Sequence, residues 1–169
     1  MLRRMTNAVR FEASLPWPMQ EVSRALRDLA WTFPRPPGVD PMQGRIEVDL
    51  QVPLGTSSSM VHRAVVELGP HEPGRDVCRV PVTISASRQF PVFRGVFEAR
   101  DDLGEATLIL DGECRIRLGV AGRMTGGSGL ARASLRRFFE TAVRAIKADL
   151  QATAPVWRPP ALPESLREA

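Results

Sequence analysis

The chain has 169 residues, of which 25% are charged and 43% are hydrophobic, and this size and composition predict one globular domain. Its formal net charge is +4, and arginine supplies all but one of its 23 basic residues, so the isoelectric point of about 10.3 does not indicate a nucleic-acid-binding protein. No apolar run reaches the roughly 20 residues of a membrane-spanning helix, and the amino-terminal residues lack the apolar stretch of a secretory signal. We therefore predict a cytoplasmic protein with no transmembrane segment and no nucleic-acid partner.

The two cysteines, Cys78 and Cys114, both fall in strand-like runs of the sequence. We expect no histidine partner near either of them, and without a second cysteine pair they cannot supply the ligands of a zinc site. In a cytoplasmic protein such residues are ordinary core thiols. The sequence therefore predicts two reduced, buried cysteines, no metal site and no cofactor.

The first part of the chain predicts a strand, a helix and a loop. Apolar and polar residues alternate over residues 8–15, which is the pattern of a half-buried strand. Pro18 and Glu21 suit the first turn of a helix, and apolar residues at helical spacing extend that helix to about residue 31. Four prolines and two glycines between residues 33 and 44 exclude regular structure, so we predict a loop that passes from the helix to the sheet.

Five more runs of alternating polarity predict strands at about residues 46–52, 60–68, 77–86, 93–100 and 107–118. Short turns separate these runs, and strands joined by short turns are antiparallel. Pro81 lies inside the run at 77–86, which predicts an edge strand or a bulge at that point. We expect a meander that curves around its apolar face.

A long helix at about residues 130–150 is expected to cover that apolar face. Its apolar residues recur at three- and four-residue steps; they are Leu135, Phe138, Phe139, Ala142, Ile146 and Leu150. Its arginines predict a solvated face or, alternatively, a strip that attracts phosphate groups or a membrane surface. The predicted fold class is α+β, a curved antiparallel β-sheet wrapped around a long C-terminal α-helix, with one domain at residues 1–152 and a proline-rich tail at 153–169.

Three short runs in the second half of the chain resemble one known superfamily. They are FPVFRG at residues 90–95, ATLILDG at 106–112 and LGVAGR at 118–123. Together with the order of the elements, they make residues 8–150 similar to a bacterial member of the START-like (SRPBCC) superfamily. Birch-pollen-type allergens, lipid-transfer START domains and polyketide cyclase/dehydrase-like proteins share this helix-grip fold. The resemblance implies a hydrophobic cavity between the sheet and the last helix.

The residues are compatible with such a cavity, because several small side chains fall on the apolar parity of the strands. The predicted ligand-binding residues share that parity or the apolar stripe of the helix; they are His62, Ala64, Arg88, Phe93, Gly95, Phe97, Leu110, Gly112, Cys114, Phe138, Phe139 and Ala142. The alternative is a solid core in which Phe93, Phe97, Phe138 and Phe139 fill the same space.

Two polar residues on the inward parity are candidates for contacts with a ligand. His62 could orient a polar group or exchange a proton near neutral pH, and Arg88 could pair with a carboxylate. The acidic residues of the strands fall on the outer parity, so no catalytic constellation is expected; they are Glu47, Asp49, Glu98, Asp111 and Glu113. The glycine-rich segment at residues 119–129 lacks the lysine of a phosphate-binding loop, and we predict a hinge or lid there.

The predicted function is the binding of a hydrophobic small molecule or a lipid, as a carrier or a sensor. Two alternatives remain open at this stage. One is a cyclase- or dehydratase-like enzyme that acts on a polyketide-type substrate, and the other is a module that binds a protein partner.

Overall fold

The computed structural model describes residues 5–53, 59–86, 92–116 and 127–153. Its elements are, in chain order, β1 (Met5–Leu15), α1 (Met19–Arg27), α2 (Leu29–Thr32), β2 (Arg45–Pro53), β3 (Ser59–Leu68), β4 (Val77–Ser85), β5 (Val92–Asp102), β6 (Glu105–Ile116) and α3 (Gly127–Thr153). All the predicted strands are present, and their ends differ from the predicted ones by a few residues. The predicted tail lies, apart from Thr153, outside the described residues.

The six strands that the structure describes belong to one antiparallel sheet with the order β1-β6-β5-β4-β3-β2. Strands β2 to β6 form the predicted meander, and β1 pairs with β6 over its whole length, from Met5 opposite Ile116 to Leu15 opposite Ala106. The two edges of the sheet are therefore β1 and β2. The apolar parity that predicted each strand is the parity that the core buries.

Strand β4 is an interior strand, so the edge predicted from Pro81 was wrong for the strand as a whole. The proline nevertheless lies where pairing on one side ends, because the last pair between β3 and β4 is Leu68 with Val82. Its carbonyl accepts a hydrogen bond of 2.7 Å from the N–H of Gly69. The nitrogen of Pro81, which carries no hydrogen, therefore lies beyond the last β3–β4 pair. Its missing donor removes no hydrogen bond between these two strands.

The single helix predicted at residues 18–31 is two helices in the structure. Asp28 interrupts it with φ −89° and ψ 6°, and α2 begins at the next residue. Aspartate is unfavourable inside a helix because its side chain competes for nearby backbone groups. After the break both Leu29 and Ala30 are buried, and α2 packs against α3.

Helix α3 lies on the concave face of the sheet and contacts both edge strands, β1 and β2. Its predicted apolar stripe is buried, which confirms the α+β class with a curved antiparallel sheet around a long C-terminal helix. The helix begins at Gly127, so the end of the predicted hinge is helical, and residues 119–126 lie outside the described residues. None of the described helices is long and apolar enough to cross a membrane.

Candidate functional site

Most of the predicted ligand-binding residues lie in the hydrophobic core. The buried ones are Ala64, Phe93, Phe97, Leu110, Cys114, Phe138, Phe139 and Ala142. Gly95, Gly112 and His62 are partly exposed, and Arg88 lies outside the described residues. The fold thus gathers these residues around one interior, and their role depends on how that interior is filled.

The ring of Phe93 occupies the space that two facing glycines leave. Gly95 and Gly112 are directly opposite each other on β5 and β6. A Cβ atom added to Gly95 would lie 2.6 Å from Phe93 Cζ, and one added to Gly112 would lie 2.8 Å from the same atom. Both distances are well below van der Waals contact, so the ring already fills the position of the missing side chains. Around these glycines the structure matches the solid-core alternative.

Further aromatic rings continue this packing towards α3. The ring centroid of Phe97 lies 6.1 Å from that of Phe138 and 6.5 Å from that of Phe139. Phe11 on β1 stacks on Phe139 at 5.8 Å, and Phe33 packs on Phe138 at 5.4 Å. Such pairs contribute about 0.5–1.5 kcal/mol each beyond the area that they bury. The aromatic residues therefore join the helix to the sheet and to the loop that follows α2.

Two open grooves flank α3, one along each edge strand. The β2 groove lies between α3, β2 and the loop of residues 33–44, called the proline-rich loop below, and has a volume of about 610 Å³. It is lined by Phe33, Pro34, Arg35, Pro36, Val48, Asp49, Leu50, Ser134, Arg137, Phe138, Glu140, Thr141 and Arg144. The β1 groove, of about 670 Å³, is lined by Arg10, Phe11, Glu12, Ala13, Arg136, Phe139, Glu140, Val143 and Arg144. Of the predicted ligand-binding residues, Phe138 lines the first groove and Phe139 the second.

Apolar side chains from three elements form the floor of the β2 groove. Val48 and Leu50 project from the inner parity of β2, and Phe138 comes from the apolar stripe of α3. Phe33 and Pro36 are buried residues of the proline-rich loop. Prolines fix φ and lack a backbone donor, so the loop keeps a defined course without regular secondary structure. The segment that was predicted only as a connection is therefore one wall of the groove.

Polar groups form the rim of the β2 groove. They include three arginines and two acids, which are Arg35, Arg137, Arg144, Asp49 and Glu140. Asp49 is balanced by Arg63, whose Nε lies 3.2 Å from its Oδ1. Asp49 belongs to the outer parity of β2, as predicted, but β2 is an edge strand, so both of its faces border the groove.

The protein's own arginines cover much of the aromatic floor of the β1 groove. The guanidinium carbons of Arg136 and Arg132 lie 5.6 Å and 5.8 Å from the centre of the Phe11 ring, which is cation–π range. Arg10 contacts Glu12 across 2.6 Å at the same groove. Because these groups already have partners, the β1 groove is the weaker candidate for a ligand.

His62 keeps the inward parity of β3 and is partly buried opposite Leu50 of β2. It is not among the residues that line either groove.

On the outer face of the sheet, Glu98 contacts Arg79 at 3.0 Å and Arg100 at 2.6 Å. Burial alone would raise the pKa of Glu98, but hydrogen bonds from both arginines outweigh it and hold that pKa below its ordinary value. This acid therefore remains a charged partner of arginines, away from both grooves.

His71 makes a contact that was not predicted. Its Nε2 lies 3.0 Å from Ser23 Oγ and 3.1 Å from Cys78 Sγ. The expectation that no histidine approaches a cysteine was wrong, because the connection between β3 and β4 packs against both α1 and β4. Burial raises the pKa of the Cys78 thiol, so it is protonated at neutral pH and a poor nucleophile. We interpret the contact as a structural tie between this connection and α1.

The second cysteine is also poorly suited to covalent chemistry. Cys114 is also a buried free thiol, as predicted, and burial raises its pKa to about 11. Among the described residues, no group of three or more histidine, cysteine, aspartate or glutamate side chains could hold a metal ion. The described groove residues are therefore suited to binding through apolar contact and arginine side chains.

No family model and no curated protein matches the chain in sequence. A point mutant of norcoclaurine synthase from Thalictrum flavum superposes with a TM-score of 0.57 at 8% identity, over 90% of this chain and 98% of that one. Ara h 8.0201 superposes with a TM-score of 0.52 at 8% identity, over 88% and 100% of the two chains.

A START superfamily protein from Mycobacterium smegmatis superposes with a TM-score of 0.50 at 11% identity, over 86% of this chain and 97% of that one. At such identities the likeness establishes the fold alone. It agrees with the strand order, the curved antiparallel sheet and the long carboxyl-terminal helix that the described residues form. The chain therefore has the START-like, helix-grip fold that its sequence resemblance implied.

Proposed function

We propose that this protein binds a hydrophobic small molecule or a lipid in the β2 groove, as a carrier or a sensor. The observation that carries the proposal is the groove itself, an open space of about 610 Å³ with an apolar floor between α3 and the edge of the sheet. Apolar surface that a ligand removes from water contributes roughly 25 cal/mol per Å². Aromatic rings already occupy the interior around Phe93 and Phe97. We therefore place the ligand in this groove and not in the centre of the core.

The fold supports the same proposal. One structure with this fold is a norcoclaurine synthase in complex with a transition-state analogue, so the fold is compatible with a bound small organic molecule. The enzyme alternative has less support, because Asp49 and Glu140 are the only carboxylates that line the described β2 groove and Asp49 is already paired with Arg63. A cytoplasmic location stays a prediction from the sequence.

Titration with Nile red, an uncharged dye that fluoresces in apolar surroundings, tests the proposal. Thr141→Trp places a large ring in the β2 groove from a half-buried position on α3. We expect it to weaken dye binding by about tenfold, which corresponds to ~1.4 kcal/mol. Val143→Trp is the matched control, because Val143 is also half-buried on α3 but lines the β1 groove.

The control variant should bind the dye as the wild type does. Unchanged binding in Thr141→Trp would refute the assignment to the β2 groove, and equal weakening in both variants would refute its specificity. If the folded wild-type protein does not bind the dye at all, the proposed function itself fails.

A further inference from the structure

Helix α3 presents basic side chains to solvent on the side that does not pack against the sheet. Arg132, Arg136 and Arg144 are exposed, and Lys147 is partly exposed. At about 100° of rotation per residue, these four side chains fall within about one third of the helix circumference. Glu140 is the one acidic residue of α3 on the same arc. We call the surface that the four cations form the basic face.

The four cations of the basic face keep their charge within the described part of the chain, where none of them belongs to an ion pair. The guanidinium groups of Arg132 and Arg136 lie over the ring of Phe11. Arg144 donates a hydrogen bond of 3.1 Å to the hydroxyl group of Thr141. An aromatic ring or a hydroxyl group orients a cation but carries no opposite charge, so these contacts neutralise none of the arginines.

Acidic side chains on the neighbouring strands do not offset this charge. Glu12 of β1 pairs with Arg10 across 2.6 Å, and Asp49 of β2 pairs with Arg63 across 3.2 Å. Both acids therefore already have a basic partner outside the basic face. Glu140 remains opposite the four cations, so the face has an excess of positive charge. Such a face attracts anionic surfaces, and salt weakens the attraction.

The two grooves open on either side of the basic face. Glu140 and Arg144 line both of them, so the two openings border the same surface of α3. The phenylalanines of α3 are buried, and the described part of this helix exposes no aromatic ring on which a nucleic-acid base could stack. A lipid bilayer matches the combination better, because it offers anionic head groups to the cations and acyl chains to the apolar grooves.

We propose that the basic face docks on an anionic phospholipid membrane, with the openings of both grooves turned towards the bilayer. Arg132 and Lys147 contact lipid head groups beyond the edges of the grooves, because neither residue lines a groove. A hydrophobic ligand then passes between the bilayer and the β2 groove without crossing bulk water. Docking itself does not require an occupied groove, so this inference can fail while the proposed function stands.

Sedimentation of the full chain with lipid vesicles tests the proposal. One set of vesicles contains phosphatidylcholine alone, and in the other phosphatidylglycerol replaces part of it. We expect binding to the anionic vesicles to be at least about tenfold tighter and to weaken as salt is added. Arg132→Gln and Lys147→Gln should each weaken this binding about fivefold, and the double variant roughly 25-fold. Nile red binding should stay unchanged in these variants, which also shows that they are folded.

The double variant with Arg94→Gln and Arg115→Gln is the matched control. Both arginines are exposed on the outer parity of β5 and β6, on the face of the sheet opposite α3, so the change in net charge is the same. This control should bind anionic vesicles as the wild type does.

Three results would overturn the proposal. The first is equal weakening in the control, because net charge would then explain the effect. The second is equal binding to neutral and anionic vesicles, or binding to neither. The third is binding to a DNA duplex in place of the vesicles with the same dependence on Arg132 and Lys147, which would assign the basic face to nucleic acid.

Discussion

Replacing Gly112 with alanine should strongly destabilise the protein, because the space beside this glycine is occupied. The new Cβ would lie 2.8 Å from Phe93 Cζ and closer still to the carbonyl oxygen of Arg94. A side-chain atom can rotate away, but a carbonyl in a paired strand moves only with its strand. Overpacking of this kind typically costs 1–3 kcal/mol, and the backbone clash places our expectation at about 3 kcal/mol. For a chain of this size that corresponds to a melting temperature lower by roughly 10 °C.

The assay is urea unfolding followed by far-ultraviolet circular dichroism, with Gly129→Ala as the matched control. Gly129 is exposed in α3, and an added Cβ meets no atom within 4 Å, so this variant should gain about 0.5–1 kcal/mol. Combining Gly112→Ala with Phe93→Leu should recover only part of the loss, because the clash with the Arg94 carbonyl remains. A cost below about 0.5 kcal/mol for Gly112→Ala would refute the reasoning and favour an open interior cavity.

Three further predictions concern groups outside the grooves. The unfolded thiol of Cys114 loses its proton near pH 9 and the folded one near pH 11, so the free energy of unfolding should fall as pH rises through that range, by at most about 1.4 kcal/mol per pH unit. Urea titrations on both sides of the range test this, and Cys114→Ala should reduce the dependence, of which the buried Cys78 thiol keeps a part. Leu103 is fully exposed with φ 57°, so Leu103→Asn should stabilise the protein by about 1 kcal/mol in thermal unfolding, whereas Leu103→Ala should not. His71→Ala removes the partner of Ser23 and Cys78 and should cost about 1–3 kcal/mol by urea unfolding; a neutral result would contradict the structural tie.

Local patterns were sufficient to predict most of the elements. Each strand has alternating polarity, and the last helix has an apolar stripe, because both elements bury one side against a single core. The break at Asp28 was missed, since the apolar spacing of that segment continues through it. The pairing of β1 with β6 was not predicted either, because it joins residues about a hundred positions apart and no local signal specifies it.

The site was harder to predict than the fold. Strand parity placed Phe93 and Phe97 correctly in the interior, and helical spacing did the same for Phe138. Neither pattern could say whether these rings fill that interior. The β2 groove depends on where a loop without periodicity packs, so Phe33 and Arg35 carried no usable signal beyond their proline-rich surroundings. The contact of His71 with Ser23 joins residues 48 positions apart, and it too follows only from the assembled fold.

Methyl resonances would test the central claim, that an apolar ligand lies in the β2 groove, most directly. Decan-1-ol would be titrated into protein with labelled methyl groups. Nuclear magnetic resonance would then record which methyl groups of the protein contact the alkyl tail of the alcohol. We predict that the methyl groups of Val48 and Leu50 contact the alcohol, because both line the β2 groove. Contacts confined to Val143 in the β1 groove, or to Leu110 in the core, would contradict the account.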